Sequence, residues 1–236
     1  MAILEIRNLQ SGYGDVQILW GVDLEIEAGK MTSLVGANGV GKTTLLRTVM
    51  GLIHPKGGSI LYKDKDVSRL SAHRKTELGM VLVPEGRQLF TDMSVGENLE
   101  MGATSKRAKP HFKENLERVF EMFPRLKERR SQKAGTLSGG EQQMLAVARG
   151  IMSEPSILMI DELSLGLAPF LVLQLFESLN LLKQAGITVM LIEQNVQLAL
   201  AISDYGYVLS QGKIELQGPS RELIRNEHVR AAYLGL

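Results

Sequence analysis

Gly36-Ala37-Asn38-Gly39-Val40-Gly41-Lys42-Thr43 fits the pattern G-x-x-x-x-G-K-[ST] at every defined position. It stands between a short apolar run, KMTSLVG, and KTTLLRTVMG (42–51), which reads as a helix closed by Gly51. Glycines let successive backbone N–H groups turn inward around phosphate oxygens. The helix that follows offers its free N–H groups and positive dipole end to the same anion. Lys42 can then reach the β- and γ-phosphates, and the Thr43 hydroxyl can help to hold Mg²⁺. The alternative is a glycine turn with an incidental lysine. From average residue usage such a match arises by chance in roughly one chain of this length in a hundred, and here it also has the strand-to-helix context the chemistry needs.

The rest of the chain predicts an α/β architecture. ILEIRNL (3–9) and VDLEIE (22–27) alternate apolar and polar residues as half-buried strands do. KGGSILYKDKDV predicts a turn and a strand, and GMVLVPE (79–85) another. From 86 to 155 the character is helical: Ser94 and Glu97 have capping-box spacing, and HFKENLERVFEMFPRLKER is charged and amphipathic. SILMIDE (156–162) and ITVMLIEQ (187–194) are apolar strands ending in polar residues, and YGYVLSQGKIELQG (205–218) predicts a hairpin centred on Gln211-Gly212. Strands alternating with helices imply a mostly parallel sheet with helices on its faces. The expected division is 1–85 as the first part of the core, 86–155 as a helical insertion and 156–236 as the second part.

Composition excludes several classes. With 236 residues and 44% hydrophobic content the chain can bury a proper core. A formal net charge of +1, evenly spread, gives no electrostatic case for nucleic acid as a partner. There are no cysteines, so disulfides, thiolate zinc sites and a cysteine nucleophile are ruled out. Glu5 and Arg7 fall where a signal peptide needs an apolar core, so a cytoplasmic protein is expected. The longest apolar stretch, 163–182, is interrupted by Gly166 and Pro169 and reads as a buried helix starting at Pro169 rather than a membrane span.

Two further features carry chemistry. Asp161 and Glu162 end an apolar strand at the carboxyl edge of the sheet, where open α/β folds place ligands. Alone they could be solvated acids. Beside a phosphate loop, Asp161 suits Mg²⁺, and Glu162 suits the proton of a water attacking the γ-phosphate. Leu137-Ser138-Gly139-Gly140-Glu141-Gln142-Gln143 is a second glycine device, and its S-x-x-E spacing taken alone means only a capped helix.

That heptapeptide, together with the phosphate loop and the acidic pair in this order, resembles the signature of the ATP-binding cassette family, and the resemblance covers essentially the whole chain. It implies a P-loop NTPase core, an N-terminal antiparallel β part and an inserted helical subdomain. It implies ATP and Mg²⁺ as ligands, with Gly36 to Thr43 and Thr44 around the phosphates. Two such domains would meet head to tail, one presenting Ser138, Gly139 and Gly140 to the nucleotide of the other. Tyr13 stands where the family places an aromatic ring on adenine, although a turn tyrosine is the bland reading. Phe90 and Met93 stand on the surface that grips a membrane partner, although they could equally be core.

The sequence departs from the commonest family pattern at Glu85 for a glutamine, Gln194 for a histidine, Ala168 for an aspartate and Leu163 for a proline. A carboxylate near γ-phosphate favours a metal-side role for Glu85. Gln194 can hydrogen-bond to phosphate but cannot carry a proton as histidine does. VPEGRQLF, DELSLGLAP, IEQN and the terminal VRAAYLG together resemble ATP-binding subunits of the LivF type, from branched-chain amino acid importers. The resemblance implies transmembrane permease subunits and an extracytoplasmic substrate-binding protein as partners, at the cytoplasmic face of the cell membrane. The alternatives are a urea or amide importer, a poorly hydrolysing ATP-gated clamp, and a soluble ATPase acting on DNA or ribosomes. Members of the last class usually carry long coiled coils or two cassettes in one chain, and this sequence shows neither.

Overall fold

A computed structural model of the chain describes residues 1–164 and 169–231. Ala168, Gly166 and the end of the terminal VRAAYLG segment lie outside the described residues. The chain starts with a long antiparallel pair, β1 (Ala2–Tyr13) and β2 (Val16–Glu27). The alternation predicts only 3–9 and 22–27. Both strands run further because Gly14, at φ 52, turns the chain directly from Tyr13 to Val16. β3 (Met31–Val35) leads into α1 (Lys42–Val49), followed by β4 (Gly57–Tyr62), β5 (Lys65–Asp66), α2 (Ala72–Glu77) and β6 (Met80–Val83).

Helices then dominate: α3 (Val95–Gly102), α4 (Phe112–Met122), α5 (Pro124–Glu128) and α6 (Gly139–Ile151). The amphipathic run 111–129 is therefore two helices. Pro124 has no N–H to continue α4, and Phe123 before it is pushed to φ −128, ψ 72. β7 (Ile157–Asp161), α7 (Pro169–Gln184), β8 (Thr188–Glu193), α8 (Val196–Ile202), β9 (Tyr205–Ser210), β10 (Lys213–Pro219), α9 (Ser220–Leu223) and α10 (Glu227–Val229) complete the order. α7 opens at Pro169, where an N–H would have no partner within the helix.

Two sheets result. One is antiparallel, in the order β2-β1-β4-β5; the other runs β10-β9-β3-β8-β7-β6 and is parallel except for β10. Every residue of β3, β7 and β8 is buried, which explains their unbroken apolar runs: both faces of the parallel sheet are covered. One core, including Leu4, Ile6, Leu34 and Leu45, fills the space between the two sheets around α1. The other, including Leu99, Leu145, Leu158 and Leu179, joins the opposite face to the helices. Tyr207 ties the sheets together, its hydroxyl accepting from Glu25 N and donating to Glu25 O, each at 2.9 Å. No helix among the described residues is long and apolar enough to cross a membrane.

Candidate active site

The loop between β3 and α1 can be built only with glycine at its ends. A Cβ on Gly36 would run into the Leu209 carbonyl, and one on Gly41 (φ 113) would lie 2.9 Å from Leu19 Cδ2. Gly39 is left-handed at φ 80. Lys42 is buried and folds back across the loop, its Nζ donating to Gly36 O at 2.9 Å and Ala37 O at 3.0 Å. α1 has no side-chain cap and no acidic residue in its first turn. Its leading N–H groups are left for an anion.

The acidic pair stands beside this loop because β7 and β3 both flank β8, with their carboxyl ends on one edge of the sheet. Asp161 is 3% exposed, and its Oδ1 has no hydrogen-bond partner among the described residues. Burial pushes its pKa up to about 6; the Thr43 hydroxyl opposes the shift, and the Glu162 and Glu85 carboxylates add to it. Glu162 takes a left-handed backbone, φ 50, and its Oε1 lies 3.7 Å from Lys42 Nζ.

These residues fit a small hard cation. A buried carboxylate oxygen without a partner, next to a threonine hydroxyl, is the oxygen-donor chemistry that Mg²⁺ takes. Among the described residues no three His, Asp or Glu side chains cluster to cage a metal. A cation here would draw its remaining ligands from phosphate and water, as Mg²⁺ commonly does.

A cavity of about 820 Å³ brings several expected residues together: Tyr13, Thr43, Glu85 and Asp161 line it, along with Phe90 and Met101. Tyr13 ends β1 with its ring half out of the protein, 46% exposed, and its hydroxyl accepts from Arg47 Nη1 at 3.3 Å. Phe90 is exposed with the Arg149 guanidinium 5.5 Å from its ring centre, whereas Met93 is half-buried and does not line the cavity. Gln194 is exposed between the end of β8 and Asn195, the cap of α8.

Ser138, Gly139 and Gly140 do not line this cavity. Ser138 caps α6 in a full capping box: its Oγ accepts from Glu141 N at 3.4 Å, while its N–H donates to Glu141 Oε2 at 2.9 Å. Burial alone would raise the Glu141 carboxyl. Bonds from Ser138 and the Arg129 guanidinium, 2.7 Å away, hold it below the ordinary carboxylate range instead. The helix start is thus fixed within the chain, with Ser138 and Gly139 exposed and Gly140 buried against Leu171.

Two residues within VPEGRQLF and IEQN for which no role is expected from the sequence, Arg87 and Glu193, also shape the site. Arg87, left-handed at φ 65, donates to Gln142 Oε1 at 2.8 Å and Gln143 Oε1 at 3.3 Å, joining the segment after Glu85 to α6. Glu193, buried at the end of β8, accepts from Ser164 N and Oγ. Burial pushes its pKa up, against the Ser164 bonds. The signal for Glu193 is the one that marks Asp161 and Glu162, an acid ending an apolar strand. Arg87 falls within VPEGRQLF, but nothing in the sequence marks its bonds to α6.

The sequence profile of the family described as ABC transporter matches residues 19–164. The chain is 43% identical over 233 residues to the high-affinity branched-chain amino acid transport ATP-binding protein BraG of Pseudomonas aeruginosa, covering 99% of this chain and 100% of that one. It is 35% identical to the probable branched-chain amino acid transport ATP-binding protein LivF of Archaeoglobus fulgidus, covering 99% of each. The lipopolysaccharide export system ATP-binding protein LptB of Escherichia coli is 30% identical, with 100% of this chain and 98% of that one covered. Among solved structures, the ADP conformation of an ATP-binding cassette of an ABC transporter superposes with a TM-score of 0.85 at 27% identity, over the full length of both chains.

Proposed function

The chain belongs to the ABC transporter family as an ATP-binding, ATP-hydrolysing subunit, and from that premise we propose that it powers an importer of branched-chain amino acids. The observation that carries the catalytic reading is the convergence of the uncapped start of α1, Lys42, the partnerless Asp161 oxygen and Glu162 on one sheet edge. The likeness to BraG and LivF supports the cargo.

In this reading Gly36, Ala37, Asn38, Gly39, Val40, Gly41 and Thr44 surround the phosphates with backbone and hydroxyl donors. The Tyr13 ring stacks on adenine. Lys42 leaves the loop carbonyls for the β- and γ-phosphate oxygens. Thr43 and Asp161, with Glu85 at the cavity wall, would hold Mg²⁺, which when bound neutralises charge on the β- and γ-phosphates. Glu162 takes the proton of the attacking water as its oxygen bonds to the γ-phosphorus and the bond to the β-phosphate oxygen breaks. Gln194 orients phosphate or water by hydrogen bonding and carries no proton.

Ser138, Gly139 and Gly140 serve the nucleotide of a second ATP-binding subunit, identical or homologous, so that ATP joins two subunits and hydrolysis releases them. Permease subunits complete the transporter, and the chain sits peripherally at the membrane, on its cytoplasmic face. The cavity wall bearing Phe90 meets the permease. Cargo recognition lies with the permeases and an extracytoplasmic binding protein. The division into a core of 1–85 and 156–236 with a helical insert at 86–155 follows the same reading.

The test is uptake of radiolabelled leucine, isoleucine and valine by cells lacking this gene. Wild type restores uptake and Glu162→Gln does not. Unchanged branched-chain uptake in the deletion strain, with loss of urea or amide uptake, contradicts the cargo.

A further inference from the structure

β8 ends in a carboxylate without a counterion among the described residues. Glu193 is 2% exposed, and the charged group that acts on it is another acid, Glu162. Burying a carboxylate without a cation is unfavourable unless hydrogen bonds satisfy it. Ser164 satisfies it twice: its N–H donates to Glu193 Oε1 at 2.9 Å, and its hydroxyl donates to Oε2 at 2.7 Å.

Ser164 lies two residues past Glu162, whose left-handed backbone is strained for any residue but glycine. Such strain persists where the surroundings over-determine the conformation. Here they do so from both sides. Glu162 N–H donates to Ile192 O at 2.9 Å, and Ser164 is gripped by Glu193, the next residue of β8. The turn from 162 to 164 is therefore stapled at each end to the last two residues of one strand. That turn aims the Glu162 carboxylate at Lys42, 3.7 Å away.

We infer that Glu193 is a positioning residue for hydrolysis: with Ser164 it forms a clamp that holds the strained turn of Glu162 toward the phosphate loop. The inference rests on Glu162 being the base. It separates ATP binding, which depends on the loop and α1, from turnover, which depends on the aim of Glu162.

The experiment compares Glu193→Ala, Glu193→Gln, Ser164→Ala and Glu162→Gln by ATP affinity, Mg²⁺-dependent kcat and melting temperature. Glu193→Ala is expected to lower kcat by about tenfold to a hundredfold, the scale of a small misplacement of a reacting group, with ATP affinity held within about twofold. Glu193→Gln can still accept from the Ser164 N–H and donate to its hydroxyl, so it restores kcat to within about threefold of wild type. The double variant Ser164→Ala/Glu193→Ala is no slower than Glu193→Ala alone, because both substitutions remove one clamp.

A kcat unchanged in Glu193→Ala, or kcat and ATP affinity falling in step, overturns the clamp. Where Glu193→Ala does not fold, Ser164→Ala decides: reduced kcat at unchanged affinity supports the clamp, and unchanged kcat overturns it. Turnover by Glu162→Gln would refute the base assignment instead. Inactive Glu162→Gln beside fully active Glu193→Ala refutes the clamp alone.

Discussion

Lys42 Nζ lies 3.7 Å from Glu162 Oε1 while donating to the carbonyls of Gly36 and Ala37, so one ammonium joins the phosphate loop to the proposed base. In the proposed function Lys42 turns one or more of its three N–H donors to phosphate oxygens. Charge-assisted hydrogen bonds of this kind contribute about 1.5 to 3 kcal/mol, so Lys42→Ala should weaken ATP binding by roughly tenfold to a hundredfold. Equilibrium dialysis with labelled ATP measures this. Affinity within twofold of wild type would remove Lys42 from the phosphate site.

Asp161 adds a pH dependence. Its pKa is raised to about 6 by burial, so the carboxyl is protonated below that pH and charged above it. Only the charged form is a good cation ligand. Mg²⁺ stimulation of hydrolysis should therefore weaken as pH falls through 6, and Asp161→Asn should abolish the stimulation across the range. Mg²⁺ titrations at pH 5.5 and 7.5 check it; equal apparent affinities at the two values would contradict the assignment.

Ser138 caps α6, and the proposed function gives it a second, separable duty. As a helix cap its loss costs about 1 kcal/mol, which in a chain of this size lowers the melting temperature by about 2 to 4 °C. As a contact to a partner's nucleotide its loss should cut turnover at least tenfold, the lower end of the about 1.5 to 3 kcal/mol of one hydrogen bond to a charged group, without changing ATP affinity of the single chain. Melting curves and kinetics on Ser138→Ala distinguish the two duties. A lowered melting temperature with full turnover would leave only the cap.

Where burial is two-sided the fold was legible. SILMIDE and ITVMLIEQ match β7 and β8 closely because strands covered on both faces are apolar throughout. The hairpin at Gln211-Gly212 follows from Gly212, which takes the left-handed backbone freely, while Gln211 adopts the same region against its preference. Ser11 and Gly12 hid the length of the first hairpin by breaking its alternation. Ser11 is tolerated inside β1 because its hydroxyl meets Thr48 on α1 at 2.7 Å, a contact supplied by tertiary structure. The glycine loop and the acidic pair can be picked out from local spacing, and the structure places them at one sheet edge. Glu193 and Arg87 bond to residues distant in sequence, Ser164 and Gln142, and no local pattern announces such pairs.

Lys75 is fully buried, and its Nζ donates to Val49 O at 2.6 Å, at the carboxyl end of the helix that begins at the phosphate loop. Burial pushes its pKa down to about 8 from 10.5, with Asp66 opposing the shift. Between those values the folded chain binds fewer protons than the unfolded one, so the stability of wild type relative to Lys75→Met should rise with pH across that window. The full change is on the order of 3 kcal/mol at about 1.4 kcal/mol per pKa unit. Denaturant unfolding at pH 7 and 9.5 reads about 2 kcal/mol of it, and a gap independent of pH would contradict a lysine buried in this way.

In the proposed function the chain is a Glu162-dependent ATPase whose sites are completed by a second subunit. Its most direct test is Mg²⁺-dependent ATP hydrolysis by the purified chain over a range of protein concentrations, beside Glu162→Gln and Gln194→Ala. The expected result is a rate per molecule that climbs with concentration, vanishes in Glu162→Gln and is only weakened in Gln194→Ala. Steady hydrolysis by Glu162→Gln, or a rate per molecule independent of concentration, would contradict it.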